Sequence, residues 1–279
     1  MSMRVIRKNM KKNIDLYLLL FFGLFIGNSL VYGNVIEAEE AVNVAKKLTN
    51  PVADLIAVPI QYNFNRGMGS NGAGSGQSVV IQPVYPVNLS GGDNFIIRPI
   101  VTAEWLNNVN GFTGAGMGNI QLETFYSPRP TSSFIWGVGP YLITPSGSSG
   151  NFGPTQTGAG VSGVGLTQAG PWTLGLLLVQ SWAISGSSSS GTVNNFYYQP
   201  FGSYTTPSNW IFGLDTESTF NYDARRTANQ INGSISKLVM TGNQPISYSI
   251  GPRYSVSSIP GGPQGWGARA TITFIFSKK

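Results

Sequence analysis

Of the 279 residues, 36 are Gly, 15 Phe and 12 Tyr, yet only 10 % are charged, against about 25 % in soluble domains, a balance that excludes an ordinary soluble enzyme. The aromatics equally exclude a disordered tail. The formal charge is +6, and there is no Cys and no His, which removes disulfides, thiolate metal sites, Ser-His or Asp-His hydrolytic machinery and the commonest transition-metal ligand; no catalytic residue, metal site or cofactor is expected.

Arg4, Arg7, Lys8, Lys11 and Lys12 precede an apolar stretch from Leu16 to Gly27, and Val31-Tyr32-Gly33 supplies a cleavage region. Residues 1 to 33 therefore read as a secretory signal. The apolar stretch is too short for the ~20 residues that a membrane-crossing helix needs. Removing residues 1 to 33 leaves twelve basic and ten acidic residues, so the basicity belongs to the targeting segment and no nucleic-acid partner is implied.

From Val35 to Asn50 the pattern is helical, with Ala41, Val44, Ala45 and Leu48 on one face and Glu39, Glu40, Asn43, Lys46 and Lys47 on the other. Pro51 stops it. This helix, over 34–50, is expected either to rest in the periplasm against a barrel rim or to plug a lumen.

Beyond Pro51 only two-residue periodicity remains. Twelve strands are predicted, at 55–65, 77–89, 94–105, 117–127, 133–144, 156–167, 172–184, 194–204, 210–221, 232–241, 245–256 and 265–276. Each is long enough to cross a membrane with tilt, where strands in globular proteins usually have about 5 or 6 residues. Long Gly/Ser/Asn-rich connections, such as 66–76, 106–116, 145–155, 185–193, 222–231 and 257–264, are predicted to alternate with short turns. Such alternation places long loops at one end of a sheet and tight turns at the other.

The last predicted strand shows the two faces most clearly: Ala268, Ala270, Ile272, Phe274 and Phe276 lie on one side, Arg269, Thr271 and Thr273 on the other. All six tryptophans, Trp105, Trp136, Trp172, Trp182, Trp210 and Trp266, fall near strand ends, as an aromatic girdle at a membrane interface requires. The fold class expected is all-β: a closed antiparallel transmembrane barrel of about 12 strands over 51–279, in contact with outer-membrane lipid.

In such a barrel the polar member of each alternating pair faces the lumen. The residues predicted to line it are Gln61, Asn63, Arg98, Glu104, Asn119, Glu123, Asp215, Glu217, Lys237, Arg253 and Arg269. A basic residue on the lipid face at the midplane costs about 2–4 kcal/mol, which makes inward orientation the expectation for all the mid-strand charges. They serve either as struts that pair across the lumen or as a polarised constriction. Twelve strands should enclose a narrow passage, since eight leave an interior just filled by side chains.

Two motifs mislead. Gly158 to Gly163 matches GxGxxG but opens no helix, and Gly-rich alternation within a strand explains it. Ser185 to Gly191 reads as an external loop rather than a linker.

The stretches Asn50 to Phe64, Ile81 to Pro86, Ile135 to Pro140, Gly170-Pro171-Trp172 and Gln199-Pro200-Phe201 resemble a family of Gram-negative outer-membrane β-barrel proteins labelled "transporter", "phenol-degradation meta-pathway-like" or, misleadingly, "neuromedin U". Asn119 stands where this family has an acidic residue. The resemblance implies an outer-membrane barrel with transport of small, aromatic or hydrophobic molecules, inserted by the barrel-assembly machinery through its C-terminal strand. The function expected is a narrow porin-like channel for passive uptake or efflux, and the competing expectation is a non-conducting structural or adhesive barrel.

Overall fold

A computed structural model describes residues 38–187, 192–242 and 244–276; the predicted signal segment and the first residues of the predicted helix lie outside them. Among the described residues there is one α-helix, α1 (Ala38–Leu48), and fourteen strands. These are β1 (Ile56–Met68), β2 (Gly74–Ile81), β3 (Tyr85–Asn88), β4 (Asn94–Val109), β5 (Phe112–Met117), β6 (Gln121–Ser127), β7 (Phe134–Ile143), β8 (Gln156–Ala169), β9 (Trp172–Gly186), β10 (Asn194–Thr205), β11 (Trp210–Asn221), β12 (Arg226–Thr241), β13 (Gln244–Ser257) and β14 (Gly265–Phe276).

All strand pairings are antiparallel, β2 pairs with β4, and β1 pairs with both β2 and β14. The sheet is therefore closed. β2 and β3 lie end to end along β4, as do β5 and β6 along its other side, so fourteen strands build twelve staves. Closure leaves no unpaired edge, the condition for a sheet to stand in lipid.

The predicted strand 77–89 is broken at Gln82-Pro83-Val84, where Pro83 has no N–H to give a ladder. The predicted strand 117–127 is broken at Gly118-Asn119-Ile120. Two predicted long loops prove to be tight hairpins. β4 runs on to Val109 and turns through Asn110 and Gly111, both with positive φ, a conformation that Asn and Gly tolerate. β12 begins at Arg226 rather than 232, because the polar stretch 226–231 continues the ladder against 216–221. The contrast in loop length is thus weaker than the sequence implies: at that end the strands themselves overshoot.

Residues paired directly across a ladder share a face, and the register assigns every stave. Ile56, Val58, Ile60, Tyr62 and Phe64 of β1 lie level with Phe276, Phe274, Ile272, Ala270 and Ala268 of β14 on the outer face. Leu174, Leu176, Phe212, Leu214, Ile235 and Ile250 are also exposed there. All six tryptophans are outward and exposed, from 40 % at Trp210 to 66 % at Trp266. Trp136, Trp172 and Trp210 lie at the end with the turns 128–133, 170–171 and 206–209; Trp105, Trp182 and Trp266 lie at the opposite end.

Helix α1 follows from Ala41, Val44, Ala45 and Leu48 at helical spacing. It ends where Thr49 N–H and Oγ1 both donate to Lys46 O and Asn50 Oδ1 accepts Val52 N–H. Its apolar stripe packs on the barrel's inner face: Ala45 is fully buried with Ile211 of β11, Leu238 of β12 and Ile275 of β14, and Val44, Leu48 and Leu55 pack around them. Thr49 bonds Thr173 of β9, and Lys46 O accepts Gln168 Nε2 of β8. Val52 is buried among Ile96, Phe125, Val164, Leu166 and Leu177. Residues 41–55 thus touch inward-facing side chains of β4, β6, β8, β9, β11, β12 and β14 at the short-turn end.

Candidate functional site

Above this apolar floor the interior becomes polar. Because strand side chains alternate, one inward polar residue per pair suffices to line it, and cross-strand neighbours meet in register. Two clusters result.

In the first, Arg98 of β4 lies level with Glu123 of β6, which lies level with Tyr141 of β7. Arg98 Nη1 donates to Glu123 Oε2 at 2.9 Å and Nη2 to Gln82 Oε1 at 2.7 Å. Tyr141 Oη donates to Gln121 Oε1 at 2.6 Å. Glu123 is 2 % exposed, so its charge is tolerated because the guanidinium meets it.

The second cluster crosses the seam between β1 and β14. Glu217 of β11 accepts Arg269 Nη2 on both oxygens at 2.8 Å and Arg253 Nη2 at 3.0 Å. Further donors of the two guanidiniums reach neutral acceptors: Arg269 Nε reaches Asn63 Oδ1 at 2.9 Å, Arg253 Nε reaches Asn232 Oδ1 at 3.0 Å, and Arg253 Nη2 reaches Gln230 Oε1. Asp215, one inward position from Glu217, accepts Asn232 Nδ2 at 2.8 Å and Gln199 Nε2 at 3.2 Å. Asn63 in turn donates to Ser78 Oγ. Charged groups held this way are fixed in geometry, since moving any one strands its partners.

Two cavities remain around these clusters. The upper one, about 650 Å³, is lined by Asn63, Asn65, Thr102, Glu104, Glu123, Tyr141, Tyr197, Glu217 and Arg253. The lower one, about 350 Å³, lies between residues 47–55 and the walls, and Asp215, Ser247, Ser249, Thr271 and Thr273 line it together with Leu177, Phe201 and Ile211. Gln61, Gln82, Arg98, Leu177, Gln199 and Arg269 border both. They form the waist between the two spaces.

Of the residues predicted to line a lumen, Gln61, Asn63, Arg98, Glu104, Glu123, Asp215, Glu217, Arg253 and Arg269 border these cavities. Two lie elsewhere. Lys237 pairs with Trp210 and Tyr248 on the outer face; its Nζ donates to Ser208 O and stands 5.0 Å from the Trp210 ring centroid. It sits at the short-turn rim, where an outward cation costs only about 0–1 kcal/mol and its stem lets the ammonium reach water. Asn119 borders neither cavity. It falls in the β5–β6 break, and its amide ties down the loop 144–155, with Oδ1 accepting Gly147 N–H and Nδ2 donating to Pro154 O.

Sequence reasoning missed the inward Leu177, Val179, Tyr197 and Gln199. Leu176 to Val179 form an unbroken apolar run, the mark of a strand covered on both faces, and that signal was there to be read.

No protein-family model and no curated protein matches this sequence. Among solved structures the chain is similar to the COG4313 outer membrane channel from Pseudomonas putida F1, at 13 % identity and a TM-score of 0.62, covering 80 % of this chain and 96 % of that one. Outer membrane phospholipase A from Escherichia coli aligns at 8 % identity and a TM-score of 0.45, over 81 % of this chain and 99 % of that one. The TodX monoaromatic hydrocarbon channel deltaS2 mutant aligns at 10 % identity and 0.41, over 79 % and 88 %. At such identities the first likeness establishes the fold, and the other two are too loose to argue from.

Proposed function

We propose that this chain is exported by residues 1–33, inserted in a Gram-negative outer membrane through its C-terminal strand by the barrel-assembly machinery, and there acts as a narrow porin-like channel for small molecules. The observation that carries the reading is the pair of stacked cavities of about 650 and 350 Å³ inside a closed barrel. Lipid meets the apolar outer belt, and the six tryptophans set its two interfaces.

No chemistry on the permeant is proposed. The chain contains no His, so the Ser-His arrangement by which a lipid hydrolase activates its nucleophile is not available to it. The mixed lining, with Leu177, Phe201 and Ile211 beside Asp215 and Arg269, suits a small solute with an apolar body and a polar end. This agrees with the transport of aromatic or hydrophobic compounds that the family resemblance implies.

Residues 41–55 are assigned as a plug of the short-turn mouth. Their contacts with seven staves also favour a second reading, a permanently shut barrel with a structural or adhesive role. Conductance in planar bilayers separates the two. The full-length chain is expected to give small or intermittent currents and a variant lacking residues 34–50 larger, steady ones. A barrel silent in both forms removes the channel reading.

A further inference from the structure

Nearly every charged side chain facing the upper cavity is cancelled at close range. Arg98 and Glu123 neutralise each other. Glu217 holds Arg253 and Arg269, and with Asp215 alongside, that cluster contains two carboxylates and two guanidiniums. Glu104 stands apart. It projects inward from β4, level with Ser78 of β2 and Gly116 of β5, on the long-loop side of the Arg98–Glu123 pair. It lines the larger cavity and has no ion pair or hydrogen bond with any described residue.

The backbone beside Glu104 leaves it room. A Cβ on Gly118, in the β5–β6 break, would stand 3.1 Å from Glu104 Oε1, so a side chain there would crowd the carboxylate against the wall. Asn119, the next residue, spends its amide on the loop 144–155 and contributes no charge. Asp223 and Arg225 lie in the exposed β11–β12 turn and Arg226, also exposed, opens β12 beside it, where salt limits their reach to about 8–10 Å.

We propose that Glu104 is the specificity-determining residue of the path and makes it prefer small cations, an inference that rests on the channel reading above. One uncompensated charge in a confined, low-dielectric passage acts more strongly than in bulk water. Rings or single groups of one sign set ion preference in this way. Ions entering from the long-loop side meet Glu104 before the cancelled pairs at the waist.

The test is the reversal potential in asymmetric KCl for the full-length protein and, where its currents are too small, for the form lacking residues 34–50. The wild-type side chain should give cation preference, and Glu104→Asp should keep it. Glu104→Gln should lower the cation-over-anion permeability ratio by at least about threefold, with folding verified by the heat-dependent gel mobility of a closed barrel. A wild-type path without cation preference, or one whose preference survives Glu104→Gln, overturns the inference while leaving the channel reading intact. Absence of current in both forms overturns the channel reading, and the inference with it.

Discussion

Ile211 and Asp215 face inward from the same strand, two pleats apart, yet they stand in opposite solvents. Ile211 is buried under α1 with Leu238 and Ile275, whereas Asp215 is held by the amides of Asn232 and Gln199 at the edge of a cavity. The barrel wall does not set this difference. What touches the wall from inside sets it: where the N-terminal segment packs on the staves, inward positions are mainly aliphatic, and above it they are mainly polar. A rule that assigns polar residues to the lumen therefore holds for one storey and inverts on the next.

The largest expected effect comes from breaking the charged storey. Glu217→Ala leaves Arg253 and Arg269 without their counter-charge, and losing one member of such a buried group costs about 3–5 kcal/mol. A fall in the urea midpoint of the barrel in lipid vesicles checks it. Phe125→Ala, in the floor, should cost about as much through the cavity it leaves, roughly 3–5 kcal/mol.

The outer wall sharpens the contrast further. Leu214, the outward neighbour of Asp215, is 61 % exposed. Placing charge there with Leu214→Arg should destabilise by about 2–4 kcal/mol, while Lys237→Leu at the rim should change stability by less than about 1 kcal/mol. Equal responses of these two variants in vesicle unfolding would contradict the placement of Lys237.

A smaller effect is expected within the floor. Val52→Ala removes two methyl carbons worth roughly 0.8 kcal/mol each. It should loosen the segment without unfolding the barrel, seen as faster trypsin cleavage after Lys46 and Lys47.

The smallest effect lies in the short turn before β4. Asp93 accepts Tyr126 Oη and Arg129 N–H, which hold its carboxyl below the ordinary 3.8. Its contribution is therefore present above that value and lost as pH falls below it. The stability gap between wild type and Asp93→Asn should be constant near neutrality and close below pH about 4, read from unfolding midpoints against pH.

Much of the fold could be read from the chain, because a period of two survives wherever one face meets a solvent of fixed character. The bounds of β11 and β14 match the predicted 210–221 and 265–276. The break at Pro83 is hidden because it interrupts pairing without interrupting alternation, Ile81 and Tyr85 both facing outward, whereas across Gly118–Ile120 the phase shifts, from inward Gly116 to inward Gln121. Lys237 was misplaced for a different reason. In Ser236-Lys237-Leu238 the polar Lys looks inward by type, but the register turns Leu238 inward to meet α1, and sequence alone does not reveal what an amphipathic helix will cover. The charged clusters were visible as residues but not as partners, since the pairing of Glu217 with Arg253 and Arg269 depends on neighbours across three ladders.

The seam between β1 and β14 has one more consequence. The hydrogen bond from Arg269 to Asn63 joins residues 206 positions apart, and Ile275, which completes the apolar floor, belongs to the last strand. Contacts of such long range form late, because the chain entropy of closing so large a loop must be met before they contribute. Glu217, Arg253 and Arg269 can meet within the consecutive ladders from β11 to β14, but their tie to Asn63 comes only when the final strand docks against the first, so the interior acquires its finished character at the moment the cylinder shuts.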